Sequence, residues 1–249
     1  MIERRRCTNR LAASICLTKT TALLFTVAAT CAFLTADARA ELLPVGDHNG
    51  QSFEQWQQDY IQWGIATTLG GQSQPDTVNG GRYLPTNDAS GNAVWDVTID
   101  EGTLLIGSPF FLFGERYDSG PDDDATDPFV DTIFADAMIT MTVNGDVVLE
   151  GAASDFPDRR VPFFDFPEPI VYTEPQPRGD RNSIAALFAS SVGTVFDLPV
   201  GEHVILSELD STFFGSSSIT YNVSVVPEPT GLSVVVMAAF SFLFVRRRI

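Results

Sequence analysis

The chain has 249 residues with 32 acidic against 15 basic side chains, a formal net charge of −17. Between Glu41 and Val226 there are 29 Asp plus Glu, 6 Arg and no Lys, a net of −23, which repels nucleic acid and anionic lipid and favours cations or basic partners. All three cysteines, Cys7, Cys16 and Cys31, precede this region, so disulfides, thiolate zinc sites and a cysteine nucleophile are excluded from it.

Residues 1–40 begin with Arg4, Arg5, Arg6, Arg10 and Lys19, continue through the apolar stretch 22–34 and end in Ala38-Arg39-Ala40. That order predicts a signal peptide cut by signal peptidase between Ala40 and Glu41. An uncut anchor is the plainer alternative. Lipidation at Cys31 is disfavoured because Ala28-Ala29-Thr30 lacks the usual leucine. Removal of the leader leaves length for one ordinary domain or two small ones.

Ser52 with Gln55 three residues on predicts a capped helix start, and Phe53, Trp56, Tyr60 and Trp63 then fall at helical spacing. Such a stripe is either the buried side of a helix on a sheet or a platform for sugars, and the period favours burial. From Gly70 the pattern turns to glycine, asparagine and short alternating runs. Residues 94–99 alternate, with Trp95, Val97 and Ile99 on one face, and residues 103–106 and 110–113 read as two denser strands. Residues 138–143 and 147–149 flank Asn144-Gly145, a type I′ hairpin signal.

Six prolines between residues 151 and 182 predict a long irregular excursion pinned by Phe156, Phe163, Phe164 and Phe166. Residues 184–188 read as a short helix, and Pro199-Val200-Gly201 as a turn. Residues 202–207 are expected to pair with the last strand, in which Ile219, Tyr221, Val223 and Val225 alternate with polar residues. The whole predicts a mainly β domain over 41–226, a β-sandwich of jelly-roll type with one N-terminal amphipathic helix.

The sharpest site candidate is the acidic loop 118–127. Asp118, Asp122, Asp124 and Asp127 offer the hard oxygens that calcium takes, without the EF-hand spacing. The plainer reading is a solvated charge run that binds no cofactor. Melting with calcium and with chelator separates the two. His48 and His203 are the two histidines, and no G-x-S-x-G elbow, H-E-x-x-H or phosphate-cradling loop accompanies them. So many carboxylates make a catalytic pair for glycoside hydrolysis uninformative as a signal. No catalytic residue is assigned.

The chain closes on Val226-Pro227-Glu228-Pro229, sixteen residues from Thr230 to Val245, and Arg246, Arg247 and Arg248. Sixteen residues make roughly 24 Å of helix against a hydrocarbon core of about 30 Å, a single transmembrane helix short for a lasting anchor. The arginines hold its end on the cytoplasmic side. The ending, residues 227–249 with Val226 before them, resembles the PEP-CTERM sorting signal of Gram-negative bacteria. An ordinary C-terminal anchor is the alternative. The resemblance implies recognition by exosortase, a membrane transpeptidase-like enzyme, after a transient stay in the inner membrane. It further implies release or transfer to the cell surface and association with extracellular polysaccharide and biofilm matrix. A looser resemblance links W-x-x-D-Y-I-Q-W from Trp56 to Trp63, the stretch from Val97 to Pro109, Val143-Asn144-Gly145, Gly201-Glu202-His203 and the stretch from Ile219 to Val223 to a group of uncharacterised secreted bacterial proteins. That group often carries cysteines here and has no established activity to carry over. The expectation is an exported surface or matrix protein without enzymatic activity; the alternative is a carbohydrate-binding module or hydrolase acting on envelope polysaccharide.

Overall fold

The computed structural model describes residues 40–85 and 91–228. Residues 1–39 of the expected signal peptide, Ala38 among them, and Pro229, the expected transmembrane helix and the closing arginines lie outside them. In chain order the elements are β1 (Glu41–Leu42), β2 (Asp47–His48), β3 (Gln51–Ser52), α1 (Phe53–Thr68), β4 (Thr77–Val78), β5 (Gly81–Tyr83), β6 (Asn92–Asp100), β7 (Leu104–Tyr117), α2 (Phe129–Asp136), β8 (Met138–Val143), β9 (Asp146–Ala152), β10 (Arg160–Arg178), β11 (Arg181–Asp197), β12 (Gly201–Ser211) and β13 (Gly215–Val226). The fold is mainly β.

One sheet runs β11-β7-β5-β4, with β10 and β1 following one another along the free edge of β11; the other runs β6-β13-β12-β8-β9. Leu105, Phe110, Val192 and Phe196 of the first sheet meet Val97, Ile139, Met141, Ile205 and Val223 of the second in one core. The opposite face of the first sheet carries a second core, where Trp56, Tyr60, Ile61 and Ile65 of α1 pack on Leu104, Ile106, Ala189 and Val195. Helix, sheet and sheet thus form three layers. Two pairings, β5 with β7 and β6 with β13, are parallel, a departure from the all-antiparallel jelly roll expected. Parallel neighbours need a crossover, and here the chain crosses between β5 and β7 by way of β6 in the other sheet.

Helix α1 starts where the sequence predicts. Ser52 is extended and its Oγ accepts from Gln55 N at 3.2 Å, whereas the Gln55 side chain donates to Asp59 Oδ1, so half of the capping box forms. Its aromatic face is the buried side: Trp56 is fully buried, and Trp63 is half-buried against Tyr60 and Tyr83. The hairpin between β8 and β9 turns through Asn144 at φ 55° and Gly145 at φ 87°, as a type I′ turn requires. β12 and β13 pair without a register shift from Gly201↔Val225 to Ser211↔Gly215.

Three expectations are corrected. The proline-rich stretch is largely the edge strand β10, nineteen residues long. Its register shifts lie between Val161 and Phe164, Asp165 and Ile170, and Val171 and Gln176, and Pro162, Pro167, Pro169 and Pro175 fall inside them. Proline lacks the N–H a ladder needs, so it is tolerated at bulges of an edge strand, and such bulges also discourage a foreign strand from pairing there. Residues 184–188 are no helix but part of β11, where Ala185, Ala186 and Phe188 are buried and Ile184 and Leu187 half-buried, so the alternation of a half-exposed strand is absent. Residues 104–113 lie in one strand, β7, where two were expected. Ser108 and Pro109 make a bulge opposite Gly193, and Ser108 Oγ is held between the carbonyls of Phe110 at 2.7 Å and Val192 at 2.9 Å. The short helix α2 has no counterpart among the sequence expectations.

Candidate functional site

The acidic loop joins β7 to α2, and each carboxylate singled out in the sequence already serves the backbone or a neighbour. Asp118 accepts from Asn182 Nδ2 at 2.8 Å, Asn182 N at 3.1 Å and Ser119 Oγ at 3.0 Å, and the Asn182 bonds above all hold its carboxyl below the usual range. Asp122 faces Arg116 at 3.4 Å and accepts from Tyr117 N. Asp124 accepts from Thr126 N at 2.8 Å and Thr126 Oγ1 at 2.7 Å, which lowers its pKa too. Asp127 accepts from Phe129 N at 2.8 Å, a turn bond across Pro128, the residue that precedes α2. Among the described residues no three His, Cys, Asp or Glu side chains group so that they could hold a metal ion.

Behind the loop lies a charged cluster that the sequence did not reveal. Glu115 of β7 is buried, and its carboxylate accepts from Tyr172 Oη at 3.0 Å and from Arg178 Nε at 2.8 Å and Nη2 at 3.3 Å. Asp123 accepts from Glu115 N and, with both oxygens, from Tyr117 Oη, while the Arg181 guanidinium stands 3.6 Å over the Tyr117 ring. Tyr172 and Arg178 come from β10 and Arg181 from β11, so their proximity depended on strands the sequence did not disclose. The cluster ties the ends of three strands to the loop. Arg178→Ala would leave the Glu115 carboxylate buried with its cation gone; because Arg178 is itself half exposed, a loss of about 1–3 kcal/mol is expected. Urea denaturation checks this, with Tyr172→Phe expected to lose less, about 1 kcal/mol.

Both histidines brace turns. His48 Nε2 bonds the Pro44 carbonyl at 2.8 Å; His203 Nε2 bonds the Pro199 carbonyl at 2.8 Å and its Nδ1 meets Asn144 Nδ2 at 3.1 Å. Among the described residues neither ring is hydrogen-bonded to a serine hydroxyl.

The outer face of the second sheet carries a shallow recess of about 650 Å³ lined by Asn92, Thr140, Glu208, Asp210, Ser216 and Ser218, among others. Register explains its polarity: Asn92, Ser218, Glu208 and Thr140 stand in one row across β6, β13, β12 and β8. Hydroxyls, an amide and carboxylates therefore point the same way, with no cationic lining residue.

At the ends of the domain, Ala40 is half-buried against the inter-sheet core and Glu41 is exposed. Val226 closes β13, and Pro227 and Glu228 follow it in exposed positions. Among the described residues no helix is long and apolar enough to cross a membrane.

No protein-family model matches the chain, and no curated protein does. Among solved structures, the chain is similar to the solution structure of amebosin at 12% identity, with 54% of this chain and 96% of that one covered and a TM-score of 0.18. A TM-score so low carries no argument about fold or function.

Proposed function

We propose that this is an exported cell-surface or extracellular-matrix protein, non-enzymatic, routed by the leader before Glu41 and by a PEP-CTERM-like tail from Pro227. The observation that carries the reading is the tail itself: a Val-Pro-Glu-Pro step, a short apolar run and three arginines, in that order. Supporting it, paired strands run from Glu41 to Val226, so the folded body fills the interval between the two signals. In this reading signal peptidase removes the leader, the apolar run holds the chain transiently in the inner membrane, and an exosortase-like enzyme removes the tail. The −23 domain, which repels nucleic acid, remains outside. Mass spectrometry of protein recovered from the surface fraction is expected to find an N-terminus at Glu41 and an end near Pro227 to Thr230. An intact Ile249 there would count against the routing.

A second reading, a carbohydrate-binding module, is favoured by the recess of Asn92, Thr140, Glu208 and Ser218, whose groups can exchange hydrogen bonds with sugar hydroxyls. The fully buried Trp56 does not contribute to it. Binding to a neutral glycan on an array, lost in Glu208→Ala, would establish this reading; an array without signal would remove it.

A further inference from the structure

We infer that removal of the tail is gated by the last strand, because the sorting motif begins at the first residue after β13 with no linker between them. The inference rests on the routing reading above. Val226 is still in the sheet: it pairs with Asp100 of β6, and its carbonyl accepts from Glu101 N at 2.8 Å. Val225 pairs with Ile99 on one side and Gly201 on the other, and its side chain is buried in the inter-sheet core beside Val223. Pro227 has no N–H, so the ladder ends there, and the motif emerges directly from a strand that is central in its sheet.

An enzyme that cuts or transfers a peptide bond holds several residues on each side of that bond in an extended cleft. For a bond at or just beyond Pro227-Glu228, the residues on the amino side are Ser224, Val225 and Val226. In the closed fold Ser224 and Val225 face both β6 and β12 and Val226 faces β6, so the cleft cannot reach them. The end of β13 must leave both neighbours first, and cutting then follows the population of the opened form rather than the intrinsic rate. The other end differs. Glu41 and Leu42 form a two-residue pairing on the edge of β11, continued by the bond from Leu43 N to the Val195 carbonyl, with Glu41 exposed, so a much shorter length of strand, paired on one side only, has to part there. The asymmetry makes leader removal easy and tail removal conditional on local opening, which holds the chain in the membrane longer than the motif alone would.

The test is a pulse-chase of the full chain in a Gram-negative host carrying the sorting enzyme, following the loss of the tail by mass. One variant carries a Gly-Ser insert of about eight residues between Val226 and Pro227, long enough to span a cleft. A second, Asp100→Cys with Val226→Cys, can cross-link β6 to β13 in a domain otherwise without cysteine. The insert is expected to accelerate tail removal by on the order of tenfold or more, with hydrogen exchange at Val223 and Val225 unchanged, and the cross-link to block removal until a reductant is added. An insert variant processed at the wild-type rate or more slowly would overturn the gate while leaving the routing intact. If neither the wild type nor the insert variant loses its tail, the routing reading falls and the gate with it.

Discussion

Trp56→Ala is expected to cost about 3–5 kcal/mol, a large share of the 5–15 kcal/mol that typically separates a folded domain from its unfolded chain. Trp56 is fully buried at the centre of the inner face of α1, and its Nε1 donates to the His48 carbonyl at 3.0 Å. The backbone of β5 closes over the indole at Gly81, where an added Cβ would stand 2.8 Å from the ring and 2.5 Å from Ile106. Neighbours packed so tightly from both sides cannot collapse into the space left behind, which puts the loss in the upper part of the range for aromatic truncation. Trp56→Phe should recover most of it, with the lost hydrogen bond and a smaller void costing about 1–2 kcal/mol. Urea denaturation of residues 41–226 reads both: the midpoint should fall with the slope unchanged. A midpoint that Trp56→Ala leaves in place would mean that α1 contributes little to holding the first sheet.

The second large effect is alkaline. All five tyrosines have a raised pKa: Tyr60, Tyr83, Tyr172 and Tyr221 chiefly through burial, and Tyr117 pushed up to about 12 by burial and by its hydrogen bond to Asp123. Asp59 beside Tyr83 and Glu115 beside Tyr172 add to the shift. A phenol raised in the fold ionises first in the unfolded chain, at about pH 10. Its stabilising contribution is therefore complete below about pH 10 and is lost as pH climbs from there through the folded value. Each buried tyrosine contributes a slope of about 1.4 kcal/mol per pH unit, and Tyr117, more exposed, contributes least. With four such groups buried, unfolding is expected within about two pH units above pH 10. Residues 41–226 contain no lysine or cysteine, so the tyrosinate absorbance reports this range cleanly. It should rise together with the loss of circular dichroism in one cooperative step. Tyrosines titrating one after another while the strand signal persists would refute the coupling.

The parts that could be read in advance are those whose signal is local. Ser52 caps α1 because its own side chain reaches the nitrogen three residues on, and Asn144-Gly145 turns because both residues accept positive φ. β13 betrays itself through Tyr221, Val223 and Val225, buried on one face with polar residues on the other. Where burial is two-sided the signal vanishes: Ala185 and Ala186, on opposite faces of β11, are both buried, so residues 184–188 show the unbroken apolar run that a buried helix also shows. Prolines in β10 mislead in a different way, since Pro162, Pro167, Pro169 and Pro175 sit where its register shifts against β11, and Pro177 stands near its end. The acidic loop was conspicuous as a charge run, but the use of its carboxylates was not. Asp118 is engaged by Asn182, sixty-four residues later, and Glu115 by Tyr172 and Arg178, fifty-seven and sixty-three residues later.

By itself the sequence determined the distribution of charge, the absence of cysteine between Glu41 and Val226, the helix start and the hairpins, because composition, capping and turn chemistry act within a few residues. Only the tertiary structure decided which carboxylates are buried, that β10 and β11 complete the first sheet, and that Pro227 follows directly on a strand paired on both sides. Those outcomes depend on which distant strands become neighbours, and pairing free energy is distributed along whole ladders instead of residing in any short run of residues.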